Sequence, residues 1–518
     1  MSHAPDSPVD LPWGSTWPAL EVFRDLAATR RVIPVVRRLL ADEITPVGLY
    51  RTLGQGRPGT FVLESAEVDG TWSRYSFVGV SSRATLTVAD GQATWLGDVP
   101  VGVPLAGDVL DVLGATLDAL RTPATAGLPP LTGGLVGALG WDIVRHWEPT
   151  LPAKAPDELG VPELTLCLAS DLAAIDHVDG SVWLIANAIN FDDTDERVDE
   201  AHADAVGRLD RMQAQLAQPL PAAPGVLVDG PEPELELRTT REEFEATVRA
   251  GKEAIREGEV FQVVLSQRLD LDCPADPLDV YRVLRTINPS PYMYYFALQD
   301  AAGHEFAVVG SSPETLVKVT DGDVVTFPIA GSRPRGATPA QDAELAEELL
   351  ADPKECAEHI MLVDLSRNDL AKVCVPTSVE VLELMAVKRF SHIMHICSTV
   401  VGRLREGATA LQSLVATFPA GTLSGAPKPR AIALIDELEP ARRGIYGGTV
   451  GYFDFAGNMD MAIAIRTALI RDGRASVQAG AGIVADSVEA LEYAESRNKA
   501  AAAVRAVQVA SRLRSAGG

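Results

Sequence analysis

The chain has 518 residues, of which 47% are hydrophobic and 22% are charged, and its formal net charge is −26. This length exceeds what one hydrophobic core usually supports, so two or three domains or one large composite fold are expected. The negative charge excludes nucleic acid as an expected partner, because phosphate contacts need clustered lysine and arginine. An acidic metabolite would therefore need local cations or a metal ion in order to bind.

Cysteine usage and apolar runs indicate the compartment. No run approaches the roughly 20 apolar residues that a membrane-spanning helix needs, and the first residues show no secretory signal. The five cysteines form no CxxC pair and are typical of reduced thiols: Cys167, Cys273, Cys356, Cys374 and Cys397. We therefore expect a cytoplasmic protein with no membrane interaction.

The first half of the chain contains short apolar segments separated by turn residues, a pattern typical of antiparallel sheet. Residues 1–18 are predicted to be poorly ordered. Helices are predicted at 20–30, 45–53, 111–121 and 195–217, and strands at 32–36, 60–66, 72–80, 84–89, 92–97, 163–170 and 181–189. The Pro-rich acidic residues 221–238 are predicted to link this region, 19–220, to a second region, 239–518.

The second half interleaves helices and strands. Helices are predicted at 241–257, 276–287, 344–350, 354–373 and 410–418, and strands at 260–271, 293–298, 306–309, 315–319, 324–329, 379–384, 390–401, 449–455 and 461–470. Strands also follow strands directly across short turns. This pattern favours a large α+β fold over a regular doubly wound one.

Residues 418–499 are the most informative stretch. Glycines recur there at positions where backbone could approach a bound anion: Gly421, Gly425, Gly447, Gly448, Gly480 and Gly482. The apolar run 461–470 contains one cation, Arg466. On the helix that follows, Glu492, Glu495 and Lys499 recur at i, i+3 and i+7 and share one face. Each alone fits a solvated surface, but together they suit an anionic substrate held with a divalent metal.

Other acidic and histidine residues are candidates for chemistry. Glu314 follows a strand and could act as a general acid if burial raises its pKa. Glu355 and Glu358 share a helix face and could supply Mg²⁺ with a carboxylate, although surface glutamates are common. His392 and His395 lie three apart on a predicted strand and so point to opposite faces.

Two basic segments remain open, since 331–336 and 367–369 could contact anions or form ion pairs. The sequence contains no GxxxxGK[ST], no GxGxxG after a strand, no HExxH and no GxSxG. Nucleotide binding and serine-hydrolase chemistry are therefore disfavoured.

Seven ordered motifs resemble those of the chorismate-utilising enzymes, and among these the large subunits of anthranilate synthase. They are PIAGSRPRG, LLADPKECAEHIMLVDLSRNDLAKV, FPAGTLSGAPKPR, RRGIYGGTVGY, MDMAIAIRTALI, VQAGAGIVADS and EYAESRNKA. The similarity spans residues 20–510. It implies an α+β fold in which two antiparallel β-sheets pack as a sandwich with helices outside, and a site for chorismate and Mg²⁺.

The resemblance also implies roles for individual residues. Glu314 would protonate the departing 4-hydroxyl, with His395 beside it and Thr422 as a hydrogen-bonding neighbour. Glu358 and Glu495 would bind Mg²⁺, supported by Glu355 and Glu492. Substrate contacts would come from Ser332, Tyr446, Arg466, Gly480, Ala481, Gly482 and Lys499. The elements of a tryptophan inhibitor pocket would be Glu64, Ser65, Pro291, Tyr292 and Met293.

Two positions discriminate among related reactions. Relatives that form aminodeoxychorismate often carry a nucleophilic lysine where this chain has Ala330. Relatives that add water use a lysine base where this chain has Gln262, which cannot deprotonate water. Both differences indicate amination at C2, followed by loss of pyruvate to give anthranilate. Two alternatives stay open: release of the intermediate 2-amino-2-deoxyisochorismate, and a non-catalytic tryptophan-sensing homologue.

Ammonia must come from a partner, because the chain contains no GxCxG-type nucleophile of a glutamine amidotransferase. The resemblance implies a separate glutamine amidotransferase small subunit, in a heterotetramer of two large and two small subunits. Three positions depart from the family pattern. Ser332 stands where threonine is usual, Ser366 where glycine is common, and Val62 where leucine is common.

Overall fold

A computed structural model describes residues 7–66, 74–219, 224–389 and 393–515. Its helices are α1 Leu20–Ala27, α2 Pro46–Leu53, α3 Val109–Ala119, α4 Val198–Leu216, α5 Arg241–Arg256, α6 Pro277–Ile287, α7 Pro339–Ala351, α8 Pro353–Ala371, α9 Ala410–Thr417, α10 Lys428–Leu438 and α11 Glu489–Ser511. Within these described ranges, every helix is too short or too polar to cross a lipid bilayer.

The strands of the first half are β1 Thr16–Trp17, β2 Val32–Leu40, β3 Thr60–Glu64, β4 Tyr75–Ala89, β5 Gln92–Gly97, β6 Gly134–Leu139, β7 Leu164–Asp176 and β8 Ser181–Ile189. Those of the second half are β9 Gly225–Leu227, β10 Glu236–Leu237, β11 Gln262–Asp272, β12 Tyr292–Gln299, β13 Glu305–Ser312, β14 Thr315–Thr320, β15 Asp323–Thr326, β16 Ile329–Pro334, β17 Glu380–Arg389, β18 Ile393–Arg403, β19 Gly425–Ala426, β20 Thr449–Asp454, β21 Met459–Ile463, β22 Thr467–Arg471, β23 Arg474–Ile483 and β24 Leu513–Ser515.

Several helices begin where the sequence provides a cap. The Thr45 hydroxyl accepts from the backbone N–H of Gly48, and Pro46 occupies the first turn of α2, as the sequence predicts. Asp352 accepts from the backbone N–H of Glu355 and caps α8. The Asp352 cap therefore fixes the first turn of the helix that carries the predicted metal carboxylates.

Every strand pairing in the described part of the chain is antiparallel. Strand β4 pairs with β3 through its first part and with β5 through its last, and its register with β7 shifts between Gly79 and Ala84. Such shifts bend a strand, so one strand serves two parts of the sheet. The α+β class is confirmed, and within the described residues 22 strands join in one hydrogen-bonded network, with β9 and β24 paired separately.

The two halves of the chain share this sheet and its core. Strand β3 pairs with β12, and β6 pairs with β20. One hydrophobic cluster combines Leu135 and Leu166 of the first half with Val263, Phe453 and Ile483 of the second. The predicted linker is exposed at 224–232, whereas residues 220–223 lie outside the described ranges.

The described part of the N-terminal segment departs from the prediction of poor order. Leu11 and Trp17 are buried, and β1 pairs with β2. Burial of large apolar side chains fixes this segment on the sheet. Residues 1–6 lie outside the described ranges, as do His392 and the first residues of the predicted strand 390–401.

Three predicted segments have different bounds in the structure. The strands predicted at 72–80 and 84–89 are one strand, β4, as far as it is described. The run 461–470 is divided into β21 and β22, because Arg466 adopts a positive φ of 53° between them. The basic turn predicted at 331–336 belongs mostly to β16, which pairs with β18.

Candidate active site

Four carboxylates lie on the N-terminal parts of α8 and α11. Gln262, at the start of β11, donates to Glu358 Oε1 over 3.2 Å. Burial raises the pKa of Glu355, and the neighbouring charge of Glu358 raises it further. Burial likewise raises the pKa of Glu492; a hydrogen bond with Ser487 opposes this shift, and the charge of Glu495 adds a smaller contribution to it. Clustered carboxylates of this kind are ready to share a cation.

The two helices approach each other at this cluster. Lys354 on α8 lowers the pKa of Glu492 on α11 in part, so its charge lies within electrostatic range of that carboxylate. Within the described ranges, no three potential ligands converge tightly enough to form a metal site by themselves. Mg²⁺ needs only one or two protein carboxylates when water and substrate supply the remaining oxygens. The donor set therefore fits a metal that is completed by an anionic ligand.

Glu314 is partly buried just before β14 and is the strongest candidate for an acid. The Thr422 hydroxyl donates to Glu314 Oε1 over 2.9 Å. Burial raises the pKa of Glu314 to about 7, against the opposing effects of Thr422, Lys499 and Arg466. A carboxylic acid that keeps its proton near neutral pH can give it to a leaving group.

His395 on β18 lies opposite Ser332 on β16. Its Nδ1 lies 2.8 Å from the Gly331 carbonyl oxygen, and because a carbonyl only accepts, Nδ1 donates. Burial lowers the pKa of His395, and the charges of Arg466 and Lys499 lower it further. The imidazole is therefore neutral at neutral pH, with its proton on Nδ1.

Two cations, Arg466 and Lys499, lie within electrostatic range of the acid. Arg466 donates to the backbone carbonyl of Lys499 over 3.0 Å. The Lys499 ammonium lies 2.7 Å from Glu495 Oε1 and donates to the Gly480 carbonyl over 3.2 Å. The unusual backbone at Arg466 ends β21 and turns the chain into β22 at this point. Sequence periodicity predicted a continuous strand here and missed this break.

Two glycines on β23, Gly480 and Gly482, leave room for neighbouring groups to approach the backbone. A Cβ at Gly480 would lie 3.0 Å from the Tyr446 hydroxyl oxygen and 2.5 Å from the Leu265 carbonyl oxygen. A Cβ at Gly482 would lie 2.7 Å from Gln262 Nε2. Ala481, between them, is fully buried in the core. Its side chain therefore faces away from the site, and only its backbone is available to a ligand.

The residues predicted for an inhibitor pocket line one cavity of about 690 Å³. Glu64 and Met293 are cross-strand neighbours on β3 and β12. The Glu64 carboxylate accepts from Arg285 over 2.9 Å and also from the Tyr281 hydroxyl. Glu64 therefore supports the cavity wall with a carboxylate that is already hydrogen-bonded. Ser65, Pro291 and Tyr292 complete this predicted set around the cavity.

The start of β14 separates the proposed inhibitor cavity from Glu314. The Thr315 hydroxyl donates to the Tyr292 hydroxyl oxygen over 2.9 Å, and Tyr292 donates to Asp460 Oδ1 over 2.9 Å. Thr315 follows Glu314 directly in the chain and lines this cavity. A change at Tyr292 can therefore reach the residue next to the acid.

The basic segments that the sequence left open form ion pairs. Arg333 contacts Asp352 over 3.0 Å, and Arg335 contacts Asp342 over 2.7 Å. Asp369 contacts both Lys372 and Lys428. These contacts assign both segments a structural role.

The departures from the family pattern are accommodated. Ser366 lies inside α8, where φ is negative, so a serine causes no backbone strain there. Ser366 also lines a small cavity of about 50 Å³ beside Glu314. Val62 is fully buried in the core, and Ser332 is exposed beside the site.

Sequence reasoning did not single out the buried ion pair between Arg443 and Glu439. Both side chains are almost fully buried, with 1% and 3% of their surface exposed. Arg443 lies in the same motif as Tyr446. An arginine beside a glycine-rich turn is the sequence feature that could have indicated this buried ion pair.

A family model for chorismate binding enzymes matches residues 61–505. The chain therefore belongs to the chorismate binding enzymes, which confirms the family resemblance of its motifs. It is 61% identical over 503 residues to anthranilate synthase component 1 of Arthrobacter globiformis, covering 96% of this chain and 94% of that protein. It is 54% identical over 501 residues to the Mycobacterium tuberculosis protein of the same name, covering 96% of this chain and 97% of that protein.

The fold is similar to that of a solved structure. Anthranilate synthase component I from Streptococcus pneumoniae TIGR4 superposes with a TM-score of 0.72 at 35% sequence identity, over 85% of this chain and 94% of that chain. The large antiparallel sheet with surrounding helices is thus the fold of that protein.

We predict that Glu314→Gln changes the pH dependence of stability. The Glu314 pKa rises from 4.5 to about 7 on folding, so its contribution to stability is complete below about pH 4.5 and is lost as pH rises through 7. The neutral amide does not ionise. Between about pH 5 and about pH 8 the variant should gain roughly 2–3 kcal/mol over the wild type. Thermal melting of ligand-free protein across this range measures the difference.

The matched control is Glu305→Gln, which changes an exposed glutamate. Its melting curves should follow those of the wild type at every pH. A constant offset between Glu314→Gln and the wild type would contradict a raised pKa at Glu314.

Proposed function

We propose that this chain converts chorismate and ammonia to anthranilate and pyruvate. The observation that carries the proposal is the partly buried Glu314, with a pKa of about 7, opposite the cations Arg466 and Lys499. An anionic substrate held by those cations would place its leaving hydroxyl near an acid that retains its proton. The substrate's own negative charge would raise the Glu314 pKa further and extend the protonated state to higher pH.

Mg²⁺ fits the carboxylates of the site. Glu358 and Glu495 would bind it, and Glu355 and Glu492 would support them. When bound, the metal would neutralise a substrate carboxylate and hold it in place. The ammonium of Lys499, now 2.7 Å from Glu495, would share that anionic environment.

The residues of the chain perform the remaining steps. Arg466, Lys499, the Tyr446 hydroxyl and the backbone of Gly480–Gly482 would orient the substrate carboxylates. Ammonia forms a bond to C2, both ring double bonds shift toward C4, and the C4–O bond breaks so that the 4-hydroxyl leaves as water with the proton from Glu314. Loss of the C2 proton then accompanies cleavage of the bond from C3 to the enolpyruvyl oxygen. Pyruvate leaves, and the ring becomes aromatic.

Two positions favour amination over the related reactions. Ala330 offers no nucleophile, and its side chain is almost fully buried. Gln262 donates to Glu358 and cannot activate water. Ammonia is a nucleophile without such a base. Release of the aminated intermediate, 2-amino-2-deoxyisochorismate, remains the second candidate, because its formation uses the same groups.

We also propose a partner and an inhibitor. A glutamine amidotransferase small subunit would supply ammonia, in a heterotetramer of two large and two small subunits. The name component 1 of the relatives supports a partner. Tryptophan would bind the cavity of about 690 Å³ that Ser65, Pro291, Tyr292 and Met293 line. Thr315 lines this cavity and follows Glu314 directly in the chain. This connection supports inhibition through the cavity.

Product analysis tests the proposed reaction. Purified protein is incubated with chorismate, Mg²⁺ and ammonium at alkaline pH, with and without tryptophan. Anthranilate and pyruvate in equal amounts support the proposal. An aminated non-aromatic product without pyruvate would support the second candidate, and no turnover with tryptophan bound would support a sensing homologue.

We predict that Glu358→Gln lowers Mg²⁺-dependent turnover by roughly 100-fold or more, because a neutral amide is a poor ligand for a hard cation. The melting temperature of the ligand-free variant should stay close to that of the wild type. Turnover as a function of Mg²⁺ concentration is the measurement. Glu347→Gln on the exposed face of α7 is the control, and an equal Mg²⁺ response of both variants would remove Glu358 from the metal site.

We predict that Ser65→Phe relieves tryptophan inhibition, because the larger side chain fills part of the cavity. Turnover without tryptophan should stay within a few-fold of the wild type. Titration of turnover with tryptophan measures the effect. Val178→Phe, at an exposed turn, introduces the same phenyl ring outside the cavity and should leave inhibition unchanged. Unaltered inhibition in Ser65→Phe would contradict the proposed pocket.

A further inference from the structure

Arg443 connects three segments of the chain beneath the site. Its guanidinium donates to Glu439 Oε2 over 2.9 Å and to Glu439 Oε1 over 2.7 Å. It also donates to the backbone carbonyls of Leu423 over 2.7 Å and Val264 over 2.8 Å. The indole ring of Trp141 covers the guanidinium at 4.3 Å from the ring centroid. One side chain thus makes four hydrogen bonds in a dry environment.

Glu439 extends this set of contacts along β11. Its Oε1 accepts from the Ser266 backbone N–H over 2.8 Å and from the Ser266 hydroxyl over 2.7 Å. The Ser266 hydroxyl oxygen in turn accepts from Gln478 over 2.8 Å. The ion pair is therefore bonded directly to β11 and is linked through Ser266 to Gln478 on β23.

Each anchored group lies next to a residue of the site. Leu423 follows Thr422, the donor to Glu314. Val264 and Ser266 are the cross-strand partners of Gly482 and Gly480.

The same guanidinium also lies near the tyrosine of the site. Tyr446 lies three residues after Arg443, and its ring centroid is 5.4 Å from the guanidinium carbon. Arg443 therefore contacts the residues that hold Thr422 beside the acid, and it also lies beside Tyr446, which is proposed to bind a substrate carboxylate.

The chemistry of this position requires arginine. A buried charge is costly unless it is paired and hydrogen-bonded, and an apolar pair of similar volume often serves stability as well. The planar guanidinium bonds several acceptors at fixed angles, whereas a lysine ammonium is a single flexible point charge. The charged pair at this position therefore fixes the positions of the groups it bonds, rather than adding stability.

We propose that Arg443, held by Glu439, is a positioning residue that aligns Thr422, Tyr446 and the Gly480–Gly482 backbone for chorismate binding and turnover. The inference rests in part on the proposed reaction. Chorismate binding by the full chain tests it independently of which product forms.

The experiment uses the double variant Arg443→Met/Glu439→Gln, in which both charges are removed together so that no buried charge is left unpaired. Chorismate binding is measured by isothermal titration calorimetry with Mg²⁺, and turnover is measured with ammonium. We expect weaker chorismate binding, a higher KM and a kcat/KM lower by roughly 100-fold, the loss that a misplacement of about 1 Å can cause.

The pH profile separates positioning from folding. The Thr422 hydrogen bond favours ionised Glu314, so misplacement of Thr422 should raise the Glu314 pKa and move the alkaline limb of kcat to higher pH. Arg466 and Lys499 also lower the Glu314 pKa. Because Lys499 donates to the Gly480 carbonyl, a displaced Gly480 backbone that draws Lys499 away from the acid would raise the Glu314 pKa in the same direction. A lower fraction of folded enzyme changes neither KM nor the position of the limb.

Arg208→Met/Asp171→Asn is the matched control, because it removes another mostly buried ion pair in the first half of the chain. Its KM and pH profile should be those of the wild type. If the double variant at Arg443 does not fold, Arg443→Lys retains the charge opposite Glu439, and its KM and pH profile should shift in the same direction. Chorismate binding, KM and pH profile equal to those of the wild type in a folded variant would overturn the proposal.

Discussion

Charge is the constraint on which this site depends. A chain with a net charge of −26 must hold an anionic ligand, and it does so with a few cations fixed by backbone contacts. Arg466 is fixed by the Lys499 carbonyl and Lys499 by the Gly480 carbonyl. Neither cation therefore depends on a surface ion pair alone. Both are partly buried, with 38% of the Lys499 side chain exposed, so each attracts an anion more strongly than a fully solvated cation does.

The same partly buried environment sets the protonation states of Glu314 and His395. Burial raises the pKa of Glu314 and lowers that of His395. A single physical cause, desolvation, thus keeps the carboxylic acid protonated and the imidazole unprotonated near neutral pH. The nearby cations oppose the first shift and reinforce the second. The site therefore combines a carboxyl group with a raised pKa and an imidazole with a lowered pKa.

The sequence predicted the elements of this site better than its detailed geometry. Apolar periodicity and caps located α5, α6 and α8, and motifs located Glu314, Glu358, Arg466 and Lys499. Periodicity could not show the break at Arg466, because positive φ at an arginine has no composition signal. Helix α10 was missed because Pro427 and Pro429 at its start hide its pattern. The register that brings β3 beside β12 depends on long-range pairing that local sequence does not encode.

The shared sheet explains how the proposed inhibitor cavity can influence the acid. Strand β3 belongs to the first half of the chain and pairs with β12 of the second, so the cavity wall and the candidate active site belong to one hydrogen-bonded sheet. Tyr292 on β12 bonds to Thr315, the residue after Glu314. A ligand in the cavity that moves the Tyr292 hydroxyl would move Thr315 with it. Because Glu314 depends on a 2.9 Å contact with Thr422, a small displacement of this strand end changes both the position and the acidity of the acid.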